Sequence, residues 1–175
     1  MSPTGGIDFG SLSLRDALDL AILIEEEARE RYEELADQMD AHHTPEAARF
    51  FRFMAENEEK HRRALAARRD DRFGETPMAV TRAMLFDVEA PDYDEARAFM
   101  SARAALETAM RSEKKAHAFF VGALLQIADR EVRALFDELR REEIEHQSLI
   151  RRQLDALPSE PDVSGDDFSD EPVGQ

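Results

Sequence analysis

Two glutamate–histidine pairs with the same spacing are the residues of this chain best suited to carry out chemistry. Glu58 precedes His61 by three positions, and Glu143 precedes His146 by the same interval. Residues three apart on an α-helix lie on one face, so each pair can present a carboxylate and an imidazole to a common point. Carboxylate oxygens with one imidazole suit iron or manganese better than a structural zinc site, which normally uses cysteine or more histidine.

Two further glutamates, Glu25 and Glu113, extend this set, because each interrupts the apolar stripe of a predicted helix. Four ionised carboxylates in an apolar core would each cost several kcal/mol if nothing compensated them. Two divalent cations would neutralise them, and two Glu with two Glu-x-x-His pairs form the ligand set of di-iron and di-manganese carboxylate bundles. The predicted metal ligands are Glu25, Glu58, His61, Glu113, Glu143 and His146.

Four amphipathic helices are predicted to position these residues. Apolar residues recur with helical spacing through residues 13–40, 45–70, 92–128 and 130–156. Ser13 is the predicted N-cap of the first helix, Thr44 before Pro45 that of the second, and Asp129 that of the fourth. The pattern predicts an all-α, antiparallel four-helix bundle.

The chain is organised around this bundle, which is predicted to span residues 12–156. One long crossover joins helices 2 and 3 and is expected to contain a short helix at 77–86. Residues 1–11, rich in Gly and Pro, are predicted to be flexible. The acidic tail at 157–175 is predicted to be disordered.

The two halves of the chain repeat one helix pair with its acids in register. In each half, an acid on the first helix is followed seven residues later by an aromatic residue, and an aromatic residue on the second helix precedes the acid there by seven. The first half supplies Glu25, Tyr32, Phe51 and Glu58, and the second half supplies Glu113, Phe120, Phe136 and Glu143. Such a repeat is expected if both halves contribute to one site.

The composition excludes several classes of function. The 175 residues carry a formal net charge of −16, so the phosphates of a nucleic acid would be repelled. There is no cysteine, which excludes disulfides, iron–sulfur ligation and thiol catalysis. The N-terminus lacks a signal-peptide pattern and no apolar run approaches ~18 residues, so we expect a cytoplasmic protein without a membrane segment.

At these residues the chain resembles the ferritin-like superfamily, and specifically its erythrin/rubrerythrin branch. The segment SLSLRDALDLAILIEEEARERYEELA resembles the opening helix of that branch with its Glu-x6-Tyr. FMAENEEKHRRAL and DELRREEIEHQSLI resemble its two Glu-x-x-His helices. The resemblance covers residues 12 to about 155 and implies the six ligands above, with Glu58 and Glu143 as bridges. It also implies two bound iron ions, with manganese as the alternative, and is compatible with a homodimer.

Two departures from the rubrerythrin pattern affect the expected chemistry. Ala116 stands where rubrerythrins carry an extra glutamate three residues after the third-helix ligand, which favours a symmetric six-ligand site like that of bacterioferritin. The absence of cysteine removes the rubredoxin module that delivers electrons in rubrerythrins. The reductant must therefore come from elsewhere, or Fe(II) itself is the electron source.

Tyr32 and His117 are additional candidates. Tyr32 could hydrogen-bond a ligand carboxylate or supply an electron, which makes it the candidate catalytic residue; the alternative is a core aromatic residue, as Phe120 is in the repeat. His117 lies four residues after Glu113 on roughly the same face. It is a candidate seventh ligand, or otherwise a histidine at the boundary of the core.

The predicted function is a dinuclear non-haem iron oxidase. It would act as a ferroxidase or peroxidase, oxidising Fe(II) with O2 or H2O2 in iron or oxidative-stress handling. One alternative is a di-manganese or di-iron enzyme acting on peroxide or an organic substrate. The other is a non-enzymatic iron-binding or cargo module whose termini serve as an address.

Overall fold

The computed structural model describes residues 7–85 and 101–158, and these residues form an antiparallel four-helix bundle. The four α-helices are α1 (Leu14–Ala41), α2 (Pro45–Phe73), α3 (Ala102–Leu124) and α4 (Arg130–Ala156). α1 packs along α2, α3 packs along α4, and α1 also contacts α4. No strand occurs within the two described ranges. The predicted fold class is confirmed.

Two of the three predicted N-caps make the expected hydrogen bonds. The Ser13 hydroxyl accepts the backbone N–H of Asp16 at 3.1 Å, and the Asp129 carboxylate accepts two backbone N–H groups in the first turn of α4, each at 2.9 Å. Thr44 stands at the N-cap of α2, but its side chain makes no capping bond. Its hydroxyl instead donates to the carbonyl of Met39 at 2.8 Å, which ties the turn back to α1.

The third helix is shorter than the sequence predicted at its C-terminal end. It ends at Leu124 and not at 128, because the backbone N–H groups of Gln126 and Ile127 both turn back to the carbonyl of Ala123, at 2.9 and 3.1 Å. At its start, Ser101 is the N-cap. Residues 92–100, where the helix was predicted to begin, lie outside the described residues. In the crossover, a 3-10 helix at Arg82–Leu85 lies within the predicted short helix.

Residues 7–11 pack against the bundle, which differs from the flexible stretch expected at 1–11. Phe9 is buried and contacts Phe119 and Phe136 edge-on, with ring centroids 5.6 and 6.0 Å apart. A turn holds it there, in which the Asp8 carboxylate accepts hydrogen bonds from the Gly10 N–H and the Ser11 hydroxyl. One large apolar side chain outweighs the Gly and Pro content around it. Residues 1–6 and most of the predicted acidic tail lie outside the described residues.

Two apolar clusters fill the bundle on either side of a polar layer. The first cluster takes its side chains from the N-terminal half of α1, the C-terminal part of α2, the end of α3 and the start of α4. The second takes them from the other halves of the same helices. Within each half of the repeat, the two aromatic residues contact each other. Tyr32 stacks on Phe51 in the second cluster at 6.1 Å, and Phe120 meets Phe136 edge-on in the first at 5.6 Å.

A buried ion pair anchors the end of α2 to α1. The guanidinium of Arg69 donates to the Asp19 carboxylate at 2.6 Å, and both side chains are buried. The same guanidinium donates to the carbonyls of Gly74, at 2.8 Å, and Thr76. Gly74 has a φ of 61°, a left-handed conformation that favours glycine, and ends the helix there. One arginine thus holds α1, α2 and the start of the crossover together.

Candidate metal centre

The six predicted ligands meet in the polar layer between the two apolar clusters. Each lies one or two helical turns from cluster residues on its own helix, so the bundle core orients all of them inward. Glu58 is only 1% exposed, and Glu25, Glu113, Glu143 and His146 are also buried. His61 differs from these, because 31% of its side chain is exposed.

His146 lies between two carboxylates. Its Nδ1 atom is 3.3 Å from Oε1 of Glu58 and 3.4 Å from Oε2 of Glu113. Its ring stacks on that of His61 with the centroids 5.6 Å apart and the planes inclined by 10°. The two imidazoles of the repeat therefore lie side by side, one from α2 and one from α4.

His61 lies between Glu25 and an acid that the sequence had not suggested. Its Nδ1 atom is 3.8 Å from Oε2 of Glu25 and 3.6 Å from Oε2 of Glu142. Glu142 adjoins the ligand Glu143 in the sequence and so faces another direction on α4. A spacing signal for it does exist. Glu142 precedes His146 by four residues, which places both on one face of the helix.

The donor atoms form three overlapping clusters, within each of which the ligand atoms lie within 4.8 Å of one another. One is entirely buried, one is shared by the two histidines, and one lies on the more exposed side of His61. They consist of Glu113, Glu143 and His146; of Glu58, His61 and His146; and of Glu25, His61 and Glu142. His117 is half-buried and belongs to none of the clusters found among the described residues.

Tyr32 is part of this layer through its hydroxyl. The side chain is fully buried, and its phenol donates a hydrogen bond to Oε1 of Glu113. Burial and the nearby Glu113 and Glu58 carboxylates raise the pKa of Tyr32 well above its ordinary value. The phenol therefore remains protonated and donates. This is the hydrogen-bonding role, one of the alternatives that the sequence had left open for this residue.

A family model for rubrerythrin matches residues 16–154. The chain belongs to the rubrerythrin family. It is also similar to the crystal structure of an uncharacterized conserved protein from Magnetospirillum magnetotacticum MS-1, with 27% sequence identity and a TM-score of 0.71. That similarity covers 86% of this chain and 99% of the other. No curated protein matches this chain.

The ionisable groups of this site strongly shift one another's pKa. Burial and the neighbouring Glu25 carboxylate raise the pKa of Glu58 well above its ordinary value. Burial would also raise the pKa of Glu113, but the neighbouring His146 and Glu143 side chains outweigh burial and lower that pKa to about 2. Although burial opposes the charge on His146, the adjacent carboxylates of Glu113 and Glu58 raise its pKa to about 9. Without a cation, the layer thus balances its acids with protons.

On the outer side of the layer, burial shifts two more groups toward their neutral forms. Burial, with the neighbouring charge of His146, lowers the pKa of His61 below its ordinary value. Burial, with the neighbouring Glu138, raises the pKa of Glu142 to about 7. A neutral imidazole is the form that binds a metal ion, so His61 is already in its ligating state near neutral pH.

The residues of the polar layer fit a pair of divalent cations. Buried donor atoms of Glu58, His61, Glu142 and His146 face the layer without a hydrogen-bond partner among the described residues, which is costly unless something else binds them. Two donors bound to one ion by bonds of about 2.1 Å lie roughly 3 to 3.4 Å apart, close to the spacings around His146. None of the described helices is long and apolar enough to cross a membrane.

Proposed function

We propose that this protein is a dinuclear non-haem iron oxidase that oxidises Fe(II) with O2 or H2O2, as a ferroxidase, a peroxidase or both. The observation that carries the proposal is the convergence of four glutamates and two histidines from four helices in one buried layer. Membership of the rubrerythrin family supports it, because that family's ferritin-like fold carries such sites between its helices. Its role would be iron handling or removal of oxidants.

The protein's own residues would hold and balance the charge of the metal pair. Glu58 and Glu143 come from opposite helix pairs and would be shared by the two cations, with Glu25 and His61 holding one cation and Glu113 and His146 the other. When bound, two Fe(II) ions can supply the two electrons that reduce H2O2, with two protons, to two water molecules. Glu58 would release its proton as the cations bind, since their charge replaces that of the proton.

Tyr32 would act on this reaction through Glu113. Its phenol donates to Oε1 of Glu113, which leaves Oε2 directed toward His146 at 3.4 Å. The hydrogen bond therefore fixes which carboxylate oxygen is available as a ligand. Because Tyr32 is fully buried next to the layer, it could also donate an electron to the site during oxidation.

The size of the neighbouring cavity favours a small oxidant over an organic substrate. A cavity of about 120 Å³ borders His61 and Glu142. Pockets for drug-sized molecules are typically about 300–1,000 Å³. O2 and H2O2 fit the smaller volume, so we place the oxidation of Fe(II) ahead of the oxidation of an organic compound.

Anaerobic titration with Fe(II), followed by addition of O2 or H2O2, tests the proposal by near-UV absorbance. We expect saturation near two Fe(II) per chain and formation of Fe(III) on adding the oxidant. The double variant Glu58→Ala/Glu143→Ala should lose both. Its matched control is Glu56→Ala/Glu145→Ala, which removes exposed carboxylates from the same two helices and should behave like the wild type.

Three results would contradict the proposal in different ways. No Fe(II) binding, or binding unaffected by the Glu58 and Glu143 substitutions, would rule out the site. Binding of two Fe(II) without oxidation by either oxidant would indicate an iron carrier. Oxidant turnover only with manganese, together with manganese in the protein purified from its native host, would indicate the di-manganese alternative.

A further inference from the structure

The metal centre is open to solvent on one side. The cavity of about 120 Å³ between α2 and α4 is lined by His61, Leu65, Arg68, Glu138, Leu139 and Glu142. His61 and Glu142 belong both to this cavity and to the cluster with Glu25. The centre therefore reaches the protein surface through these two residues.

The two ends of the centre differ in accessibility. The side chains of His61 and Glu142 are 31% and 26% exposed, whereas that of His146 is 6% exposed. The cluster of Glu113, Glu143 and His146 is buried in all three members. The repeat would make the two ends equivalent, yet Asn57 stands on α2 at the position that corresponds to Glu142, so Glu142 is an additional carboxylate at the His61 end.

We propose that Glu142 is a further metal ligand, which binds a divalent cation together with Glu25 and His61. We infer also that this outer position exchanges its ion with solvent, while the position at Glu113, Glu143 and His146 retains its ion. The inference rests on the proposed dinuclear site and adds to it a ligand and an order of exchange. The two metal positions would then have unequal ligand sets, in contrast to the symmetric six-ligand site expected from Ala116.

The contacts of Glu142 point to a cation as its missing partner. Its Oε2 atom is buried, has no hydrogen-bond partner among the described residues, and lies 3.6 Å from Nδ1 of His61. The Nδ1 atom of His61 likewise lacks a hydrogen-bond partner within this part of the chain. A carboxylate oxygen and an imidazole nitrogen held next to each other, both without a hydrogen bond, are an oxygen and a nitrogen donor for one ion.

The charged groups around the cavity leave a net attraction for cations. Arg68 and Glu138 form an ion pair across its outer edge, with the nitrogen and oxygen 3.4 Å apart and both side chains well exposed. Their charges offset each other, so the carboxylate of Glu142 dominates the inner part of the opening. A divalent cation arriving from solvent would meet Glu142 and His61 before any other donor of the centre.

Co(II) serves as the probe, because its visible absorbance reports ligation without any oxidation of iron. We expect the wild type to bind two Co(II). On mixing with excess EDTA, it should lose them in two phases whose rates differ at least tenfold. Glu142→Gln should weaken binding of one Co(II) by on the order of tenfold or more and speed up the fast phase. Glu145→Gln, an exposed neighbour on α4, is the matched control and should match the wild type.

The outcomes separate this inference from the function on which it rests. Loss of both Co(II) ions in a single phase from the wild type, a measurement that needs no variant, would overturn it. Glu142→Gln binding and releasing Co(II) like Glu145→Gln would overturn it too. Wild type binding fewer than two Co(II) would overturn the dinuclear site itself. Two-phase release with no oxidation of Fe(II) would support the unequal pair and contradict the oxidase.

Discussion

Glu113 of α3 is tied to the other helix pair by Tyr32, whose phenol crosses from α1 to donate to its Oε1 atom. Both residues are buried, so water cannot replace the hydrogen bond if the phenol is removed. In the repeated frame the equivalent residue, Phe120, has no hydroxyl and packs against Phe119 and Phe136 within the first apolar cluster. The hydrogen bond is thus specific to one end of the centre.

Tyr32→Phe should destabilise the metal-free protein by about 1–3 kcal/mol, the usual cost of leaving a buried acceptor without its donor. We expect Fe(II) to bind with unchanged stoichiometry and to be oxidised more slowly. Urea unfolding in the presence of a chelator measures the first effect, and stopped-flow absorbance measures the second. A variant with the same free energy of unfolding and the same oxidation rate would show that the phenol is only a core aromatic side chain.

The protons held by Glu58 and His146 predict how the stability of the metal-free protein varies with pH. Both groups have a raised pKa, that of His146 moving from 6.5 to about 9, so the folded state binds more protons than the unfolded state. Their contribution to stability is complete below the unfolded pKa and is lost as pH rises through the folded pKa. We therefore expect the unfolding temperature of the metal-free protein to fall between pH 6.5 and 9.

Glu58→Gln should reverse the order of stability with and without metal. The amide cannot ionise, whereas Glu58 becomes a buried charge once pH exceeds its raised pKa; above that pH the metal-free variant should unfold at a higher temperature than the metal-free wild type. With Mn(II) or Co(II) present, the wild type should be the more stable, since the amide is a poor ligand. Glu56→Gln, an exposed neighbour on α2, is the control. A metal-free wild type that stays the more stable throughout a titration into alkaline pH would contradict this assignment of the charge.

Among the helices, α2 supplies Glu58 and His61, so its position directly affects the site. Its C-terminal end is held by Arg69, which pairs with Asp19 of α1 in the buried interior. Its other cross-helix arginines, such as Arg72 with Glu131 of α4, lie at the exposed surface. Breaking the buried pair should lower the free energy of unfolding much more than breaking the exposed pair, because removing one buried partner leaves an uncompensated charge.

The decrease in unfolding temperature should be several times larger for Arg69→Met than for Arg72→Met. The first substitution leaves the Asp19 carboxylate buried without its cation, whereas exposed pairs contribute only about 0–1 kcal/mol. The double variant Asp19→Leu/Arg69→Met should recover much of the loss, because neither charge then remains. Thermal unfolding followed by circular dichroism measures all three. Equal effects of the two single substitutions would show that the buried pair does not anchor α2.

The sequence predicts which side of each helix is buried, but not how the helices meet. The 3.6-residue period placed Glu25, Glu58, Glu113 and Glu143 on the apolar faces, and the structure buries all four. Glu142 was missed, because its approach to His61 depends on how closely α4 packs against α2 and not on its own stripe. A period defines a face of one helix, whereas a contact between two helices also depends on their relative rotation and spacing.

Across the whole described bundle, the polar layer separates two apolar clusters that do not share residues. Each cluster draws side chains from all four helices, so each can hold one end of the bundle together. Without cations, this layer keeps its acids and their protons in a medium that solvates charge poorly, so we expect it to contribute less to stability than the apolar clusters. Cations bound there would join the two ends into one cooperative unit.

Metal binding should therefore raise the unfolding temperature. A cation that binds only the folded protein adds about 2.7 kcal/mol at one hundred times its dissociation constant. Calorimetry with Mn(II) or Co(II) would measure the shift, and EDTA should reverse it. The Glu58→Ala/Glu143→Ala variant should show no such shift. An equal rise in that variant would place the stabilising cations elsewhere on the acidic surface.

Each helix pair of the repeat has its own aromatic contact, Tyr32 with Phe51 in one and Phe120 with Phe136 in the other. Each also carries two of the four central glutamates and one of the two histidines. Two copies of a single hairpin, meeting face to face, would therefore supply a full complement of donors. The present chain is equivalent to such a dimer whose two hairpins are joined covalently. The connection between α2 and α3 makes the association of the two hairpins intramolecular. Within one chain the two halves can carry different residues at equivalent positions, as they do at Tyr32 and Phe120, whereas two copies of one hairpin cannot.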